Sequence, residues 1–457
     1  MLRMYDALHE STYLSHHFDR TMHSARIVIA ALLFSAVAFY NGFPLLTSDT
    51  GAYINNGYEI YLPEDRPLTY SFFLRYLSLG LTLWLPVLAQ GLIISLLVYR
   101  ICVLAWGERF SGKLFWILAV STVAFTPVSW YSSQLMPDVF TGVLFLLVWL
   151  LYADPKRWNR PWYWIGLVVC NLMHNSHLLI MVMLSAGIIA MALRYDRQYL
   201  RTAFQLFGVS LFSMLLVASI HAAGGSGFTL SKGSHVFLVA KLSENGVLKK
   251  YLDDNCERYP YRLCAWKDKL PAYAWDFVWN ADQPMQQLGG WEGTKTEFKA
   301  ILRNIAWSPK YYTLLLYKAL VDTGRQFVQT QVGDGLTPYG DNSNVYWKIH
   351  QYFDHEMPWH QASKQNNNLL GWAGYNWVYW FYLIVSSACL LFFQDEVKKN
   401  PLWVFGYVLL ILFLLCNAFV TANFANVLAR LQSRAIWVLP FFNLLFLLKY
   451  GLGASRK

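Results

Sequence analysis

The stretch IVIAALLFSAVAFYNGFPLL, residues 27–46, is twenty residues long and carries no charge. A helix crossing the hydrocarbon core needs about 20 such residues, so the run predicts a transmembrane helix. It begins after 26 mostly polar residues and is too long for the apolar part of a cleaved leader, so it is expected to stay in the membrane. Immediately beyond it comes TSDTGAY, residues 47–53, with an acid three residues past the apolar run. Further along the chain, residues 80–98, 114–128, 140–152, 162–173, 178–193, 204–222, 377–393, 401–419 and 435–448 form nine more apolar runs. Together they predict an all-α polytopic membrane protein with about ten transmembrane helices.

Composition points the same way. Hydrophobic residues make up 56% of the 457 and charged residues 14%, against about 25% charged in soluble domains. Aromatics reach 17%, as expected where Trp and Tyr gather at headgroup level. The net charge of +10 comes from short basic clusters between apolar runs, which fits membrane topology and not a nucleic-acid partner.

Those clusters set an orientation. With the N-terminus inside, Arg3, Arg20, Arg26, Arg100, Arg109, Lys113, Lys156, Arg157, Arg160, Arg194, Arg197, Arg201, Lys398, Lys399, Lys449, Arg456 and Lys457 are all cytoplasmic. The short outer loops keep only Arg66, Arg75, Arg430 and Arg434. The positive-inside rule therefore places both termini in the cytoplasm, and a bacterial inner membrane is the expected setting. The chain then divides into a cytoplasmic segment 1–26, a transmembrane module 27–222 with a first outer loop 47–79, an α-rich non-cytoplasmic domain 223–376 between spans seven and eight, and a second transmembrane module 377–457. In the outer domain, 296–305 and 311–328 have apolar residues at helical spacing and are candidates to lie on the membrane surface. Cys256 and Cys264, close in sequence in an oxidising compartment, are expected to form a disulfide. Cys102, Cys170, Cys389 and Cys416 fall in or beside spans and read as small core residues.

Four constellations can carry chemistry. In the first outer loop, Asp49 is followed by Tyr53, Glu64, Asp65, Arg66, Pro67 and Tyr70. A carboxylate at the mouth of a helix bundle is well placed to act near the lipid surface. The simpler reading makes Asp49 an N-cap. Asp138, after Pro137 at the outer start of the fourth span, has the same two readings, and rim carboxylates are often functional. His174 and His177 lie in a tight outer turn, CNLMHNSHLLI, and suit a phosphate or a metal, or else a plain polar hairpin. Arg430 and Arg434 stand four apart at the outer end of the last span, against the positive-inside bias, where an anion such as a lipid phosphate would hold them. Their simpler reading is a pair snorkelling to ordinary headgroups. A fifth segment, KIHQYFDHEMPWHQ, gathers His350, Asp354, His355, Glu356 and His360 without an H-E-x-x-H spacing and reads as polar surface before metal site. Walker A, Rossmann and G-x-S-x-G signatures are absent from the sequence.

The order Asp49, Tyr53, Arg66, Pro67, Tyr70 resembles the first outer loop of the polytopic GT-C glycosyltransferases, in the branch of the protein O-mannosyltransferases and aminoarabinose transferases. That branch usually has Asp-Glu where this chain has Ser48-Asp49-Thr50, and two prolines where this chain has Pro67. The resemblance implies a lipid-phosphate sugar donor, with Asp49 as the functional acid, Asp138 as the second acid, and Arg430 or Arg434 as the late basic residue. It also implies Asp49 as general base. Arg430, Arg434, Arg66, His174 and His177 fall to the donor phosphate, and Asp138, Glu64 and Asp65 to the acceptor or to a divalent metal such as Mg or Mn. The expected activity is transfer of a sugar from a polyprenyl-phosphate donor to a glycan, lipid or protein acceptor at the outer face, among membrane lipids. An envelope oligosaccharide polymerase or ligase, which relies on Arg and His in its large loop, is the nearer alternative. A lipid or glycan flippase is the other, and would place charged or broken helices near the midplane.

Overall fold

The computed structural model describes residues 23–107, 110–194 and 197–451. Arg3, Arg20, Arg109, Arg456 and Lys457 lie outside them. Among the described residues the fold is all-helical, and the one β-bridge is isolated, between Leu45 and Gln134.

Six helices are long and apolar enough to cross a membrane: Trp84–Trp106, Asn175–Arg194, Arg197–Ala223, Trp372–Phe392, Pro401–Phe424 and Ala429–Tyr450. Four shorter apolar helices, His23–Phe34, Gly112–Phe125, Pro137–Ala153 and Pro161–Met173, fall at the other expected positions. The outward faces of the long and short helices alike carry large exposed apolar side chains, among them Ile165, Phe212, Phe381 and Ile384. Water would not tolerate so much contiguous apolar surface, whereas lipid does. The chain is a multi-pass integral membrane protein.

The first run ends earlier than its length suggests. The helix from His23 breaks at Ser35, resumes as Ala36–Asn41, and stops at Gly42, whose φ of 80° is the left-handed terminator. Pro44 then disfavours helix at Phe43. Residues 43–46 instead run extended and buried, with Leu45 N–H donating to Ser133 O and Leu135 N–H to Leu45 O. Four apolar residues assigned to the span thus belong to the mouth of the bundle, and they lead directly into Asp49.

Two helices form the centre. Pro137–Ala153 is buried from Pro137 to Leu151, and Ala429–Tyr450 is the most buried of the long spans. They approach so closely that a Cβ at Gly142 would overlap the Trp437 indole. At one end of Pro137–Ala153 lies Asp138. At the other lies buried Asp154, which binds Arg100 at 2.7 Å, Arg160 at 3.0 Å and the Tyr163 hydroxyl at 2.6 Å. About 17 residues at 1.5 Å each separate the two ends by roughly 25 Å.

Residues 223–376 do not form one unit. Helices between Ser234 and Tyr311 surround a core of their own, which includes Val239, Leu252, Phe277 and Phe298. Val332, Tyr339, Val345, Ile349 and Phe353 join the core of the bundle instead. In the first part Cys256 and Cys264 are disulfide-bonded. Helix Lys295–Ala306 spends its apolar face, Phe298, Ile301 and Ile305, on that core, so the expected membrane-surface placement of 296–305 is corrected. Helix Tyr312–Val328 packs along Pro401–Phe424 and leaves Tyr312, Leu316 and Leu320 exposed.

Candidate functional site

Asp49 directly precedes helix Thr50–Glu59, yet its carboxylate caps nothing. Thr50 takes the local role, its hydroxyl accepting from Thr47 N–H. The Asp49 carboxylate is therefore free to bridge two arginines. Arg66 Nη2 donates to Oδ1 at 3.2 Å, and Arg430 Nη2 donates to Oδ2 at 3.2 Å. Burial alone would favour the neutral acid, but Arg430 and Arg66 outweigh it and hold the Asp49 carboxyl below its ordinary value. It is a carboxylate at any physiological pH.

The two arginines differ in what they have to spare. Arg66 is engaged throughout, with Nε and Nη2 on Asp65, Nη2 also on Asp49, and Nη1 on the Asp49 carbonyl. Its guanidinium also lies over the Tyr53 ring at 5.0 Å. Tyr53 packs edge-on to Tyr70, whose hydroxyl donates to Gln90. The aromatics of the first-loop motif thus hold Arg66, and Arg66 holds Asp49. Arg430 commits only Nη2 of its guanidinium among the described residues, and its backbone N–H donates to Asp334 Oδ2 at 3.3 Å.

Asp138 and Arg434 form a second pair, one helical turn deeper. Arg434 Nη1 donates to Asp138 Oδ1 at 2.6 Å, and the side chains are 0% and 1% exposed. Arg434 also donates to Ser176 Oγ, which contacts His174 Nδ1. Asp138 and Ser176 stand on two different helices, so Arg434 joins them, and it does not line the cleft beside Asp49. His177 is equally committed. Its Nδ1 faces the Cys170 carbonyl at 2.6 Å and must carry the proton, while Nε2 faces the Thr141 hydroxyl at 2.9 Å. Burial, then Arg434, pushes the His174 imidazole well below its ordinary value, so it stays neutral and brings no charge to a phosphate.

Asp49 opens onto a cleft of about 480 Å³. One wall is the first loop, with Ser48, Asn56, Tyr61, Glu64, Asp65 and Arg66. The facing wall is Trp279 and Trp291 of the separate helical domain, with Asn344. Sequence reasoning placed Glu64 and Asp65 near Asp49 but missed Asn56, Trp279, Trp291 and Asn344. The walls are clipped together by Lys232 on Glu64 at 2.6 Å and by Gly233 N–H on the Glu64 carbonyl at 2.8 Å. A Cβ at Gly233 would stand 2.7 Å from the Trp291 ring and 2.8 Å from that carbonyl, so only glycine fits between them.

No group of three His, Cys, Asp or Glu that could hold a metal occurs among the described residues. The three carboxylates expected at a metal are each engaged by a base: Asp138 by Arg434, Glu64 by Lys232 and Asp65 by Arg66. In 348–361, His350 and Asp354 pair with each other on the surface, and three other residues act as clips. His355 Nε2 meets the Leu81 carbonyl, Glu356 accepts from Leu83 N–H at 3.1 Å, and His360 Nε2 meets the Tyr339 carbonyl. Comparison with family models, with curated proteins and with solved structures found no match to this chain.

Proposed function

We propose that the protein transfers a sugar from a polyprenyl-phosphate donor to an acceptor hydroxyl at the outer face of the membrane. The observation that carries this reading is Asp49, ionised and partly exposed, with a cleft on one side and the uncommitted donors of Arg430 on the other. The acceptor enters the cleft and its hydroxyl donates to Asp49. As its oxygen bonds to the anomeric carbon, the bond from that carbon to the phosphate oxygen breaks, and the phosphate leaves with the electron pair. The attacking oxygen becomes strongly acidic as it bonds, so even a weakly basic carboxylate takes its proton. Arg430 faces the phosphate and offsets its growing charge. Arg66 positions Asp49, and the Asp138–Arg434 pair fixes the helix that bears Arg430. The prenyl chain explains why such chemistry sits on a membrane bundle.

The donor half is tested by native mass spectrometry of the protein in nanodiscs with synthetic polyprenyl phosphate and with the matching polyprenol. The phosphate should be retained more strongly, by about tenfold or more, and Arg430→Ala should remove the difference, because a charge-assisted contact contributes about 1.5–3 kcal/mol. Equal retention of the two lipids would end the proposal.

The orientation belongs to the same reading. Arg100, Lys156, Arg157 and Arg160 cluster around Asp154, at the end of the central helix away from Asp49, and the positive-inside rule makes that end cytoplasmic. An impermeant maleimide should label Glu292→Cys in intact cells and should not label Lys156→Cys. The reverse pattern would place the cleft in the cytoplasm.

A further inference from the structure

We infer that the cleft beside Asp49 binds a neutral oligosaccharide, which makes the acceptor a glycan; the inference rests on the transferase reading above and names the acceptor that reading leaves open. Three observations point to this ligand. The first is the wall chemistry. Trp279 is 53% exposed at the cleft, and Trp291 and Tyr61 line it too. Trp279 and Trp291 stand edge to face, with ring centroids 5.8 Å apart, so they present two differently tilted aromatic surfaces. The apolar C–H face of a pyranose ring stacks on such surfaces while its hydroxyls reach the polar wall.

The second is the charge balance. The three acids of the cleft, Asp49, Glu64 and Asp65, are matched by three bases, Arg66, Arg430 and Lys232. No acid of the cleft lining is left without a base, so a cationic peptide finds no free partner there, and a neutral ligand rich in hydroxyls meets acceptors and donors alike. The third is Asn56. Its side chain is 0% exposed and lines the cleft, and neither its amide nitrogen nor its oxygen has a hydrogen-bond partner among the described residues. A buried amide left without partners is costly. A vicinal pair of sugar hydroxyls, one accepting and one donating, satisfies both of its atoms. The volume of about 480 Å³ falls within the range of roughly 300–1,000 Å³ typical of small-ligand sites.

The test uses the full chain in nanodiscs, titrated with tetrasaccharides of glucose, mannose and N-acetylglucosamine and followed by tryptophan fluorescence and calorimetry. A hyaluronan tetrasaccharide and a serine-rich peptide serve as charged and protein-like counterparts. At least one neutral glycan should bind with a Kd near or below about 1 mM. Trp279→Ala, at an exposed position, should weaken it about tenfold. Asn56→Leu should weaken it similarly without lowering Tm, because an apolar group replaces an unsatisfied one. Binding should persist in Asp49→Asn, where transfer is lost. The inference is overturned if no neutral glycan binds below about 10 mM, if the peptide or hyaluronan binds better, or if both wall variants bind as the parent does. Glycan binding without transfer from any polyprenyl-phosphate sugar would sink the transferase reading alone. Transfer undiminished in Trp279→Ala and Asn56→Leu would sink the glycan site alone.

Discussion

On the transferase reading, Asp49→Asn is expected to abolish sugar transfer while the protein inserts, folds and binds donor almost as before. The amide keeps the shape and can still accept a hydrogen bond, but it takes no proton. Loss of a positioned base costs about a hundredfold to ten-thousandfold in rate. The structural cost is small because the side chain is 28% exposed and each ion pair it makes is a partly solvated one, of the kind that contributes about 0–1 kcal/mol. Arg66 also keeps Asp65. The pH dependence has a definite sign. The folded Asp49 carboxyl lies below its ordinary 3.8, so whatever stability it contributes is present above that value and is lost only as pH falls through the depressed one. Between about pH 5 and 8 Asp49 should therefore give no acid limb in the rate profile. Radiolabelled transfer in proteoliposomes measures both points. Full activity in Asp49→Asn removes the base assignment, and an acid limb near neutrality that vanishes in this variant contradicts the ionised state.

Arg434→Ala has the larger effect on the protein itself. It leaves Asp138 buried with no counter-charge, and breaking a buried pair from one side costs about 3–5 kcal/mol. Yield and Tm in detergent should fall steeply, whereas a phosphate ligand would have shown its loss mainly in donor affinity. The double variant Asp138→Asn with Arg434→Met should recover much of the lost stability, because removing both charges removes the stranded one. Recovery to within about 1 kcal/mol of the parent is the expected coupling. A folded, stable Arg434→Ala with weakened donor binding would return Arg434 to the phosphate.

The difference between Arg430 and Arg434 marks where sequence reading stops. Residues four apart share a helix face, so both arginines point at the mouth of the bundle and both were expected at the phosphate. Their depth differs by one turn. The shallower one meets Asp49 at the rim, and the deeper one is enclosed by Asp138 and Ser176. Period and length identify the apolar runs because lipid imposes them on each helix separately. The earlier end of the first run, at Gly42, was legible in the Gly42–Pro44 pair but was outweighed by the apolar residues after it, which are buried by protein and not by lipid. For 296–305, periodicity revealed an apolar face but not its partner, which is the core around Phe277. Trp279, Trp291 and Asn56 carry no local signal. They become a site only when the separate domain docks on the first loop at Glu64, and that docking runs through contacts more than a hundred residues apart.

The link between Asp49 and Arg430 also bears on how the chain is made. Asp49 and Asp138 belong to the first third of the polypeptide; Asp49 has Arg66 close by in sequence, but Arg430 and Arg434, which complete the two pairings, are on the last membrane helix. During synthesis nearly three hundred residues follow Asp138 before its partner Arg434 is made. Until Ala429–Tyr450 is in place Asp138 has no counter-ion, so a chain stopped short carries an uncompensated carboxylate in the centre of the bundle, which is costly. Completion of the bundle and the full pairing of both acids are then a single event.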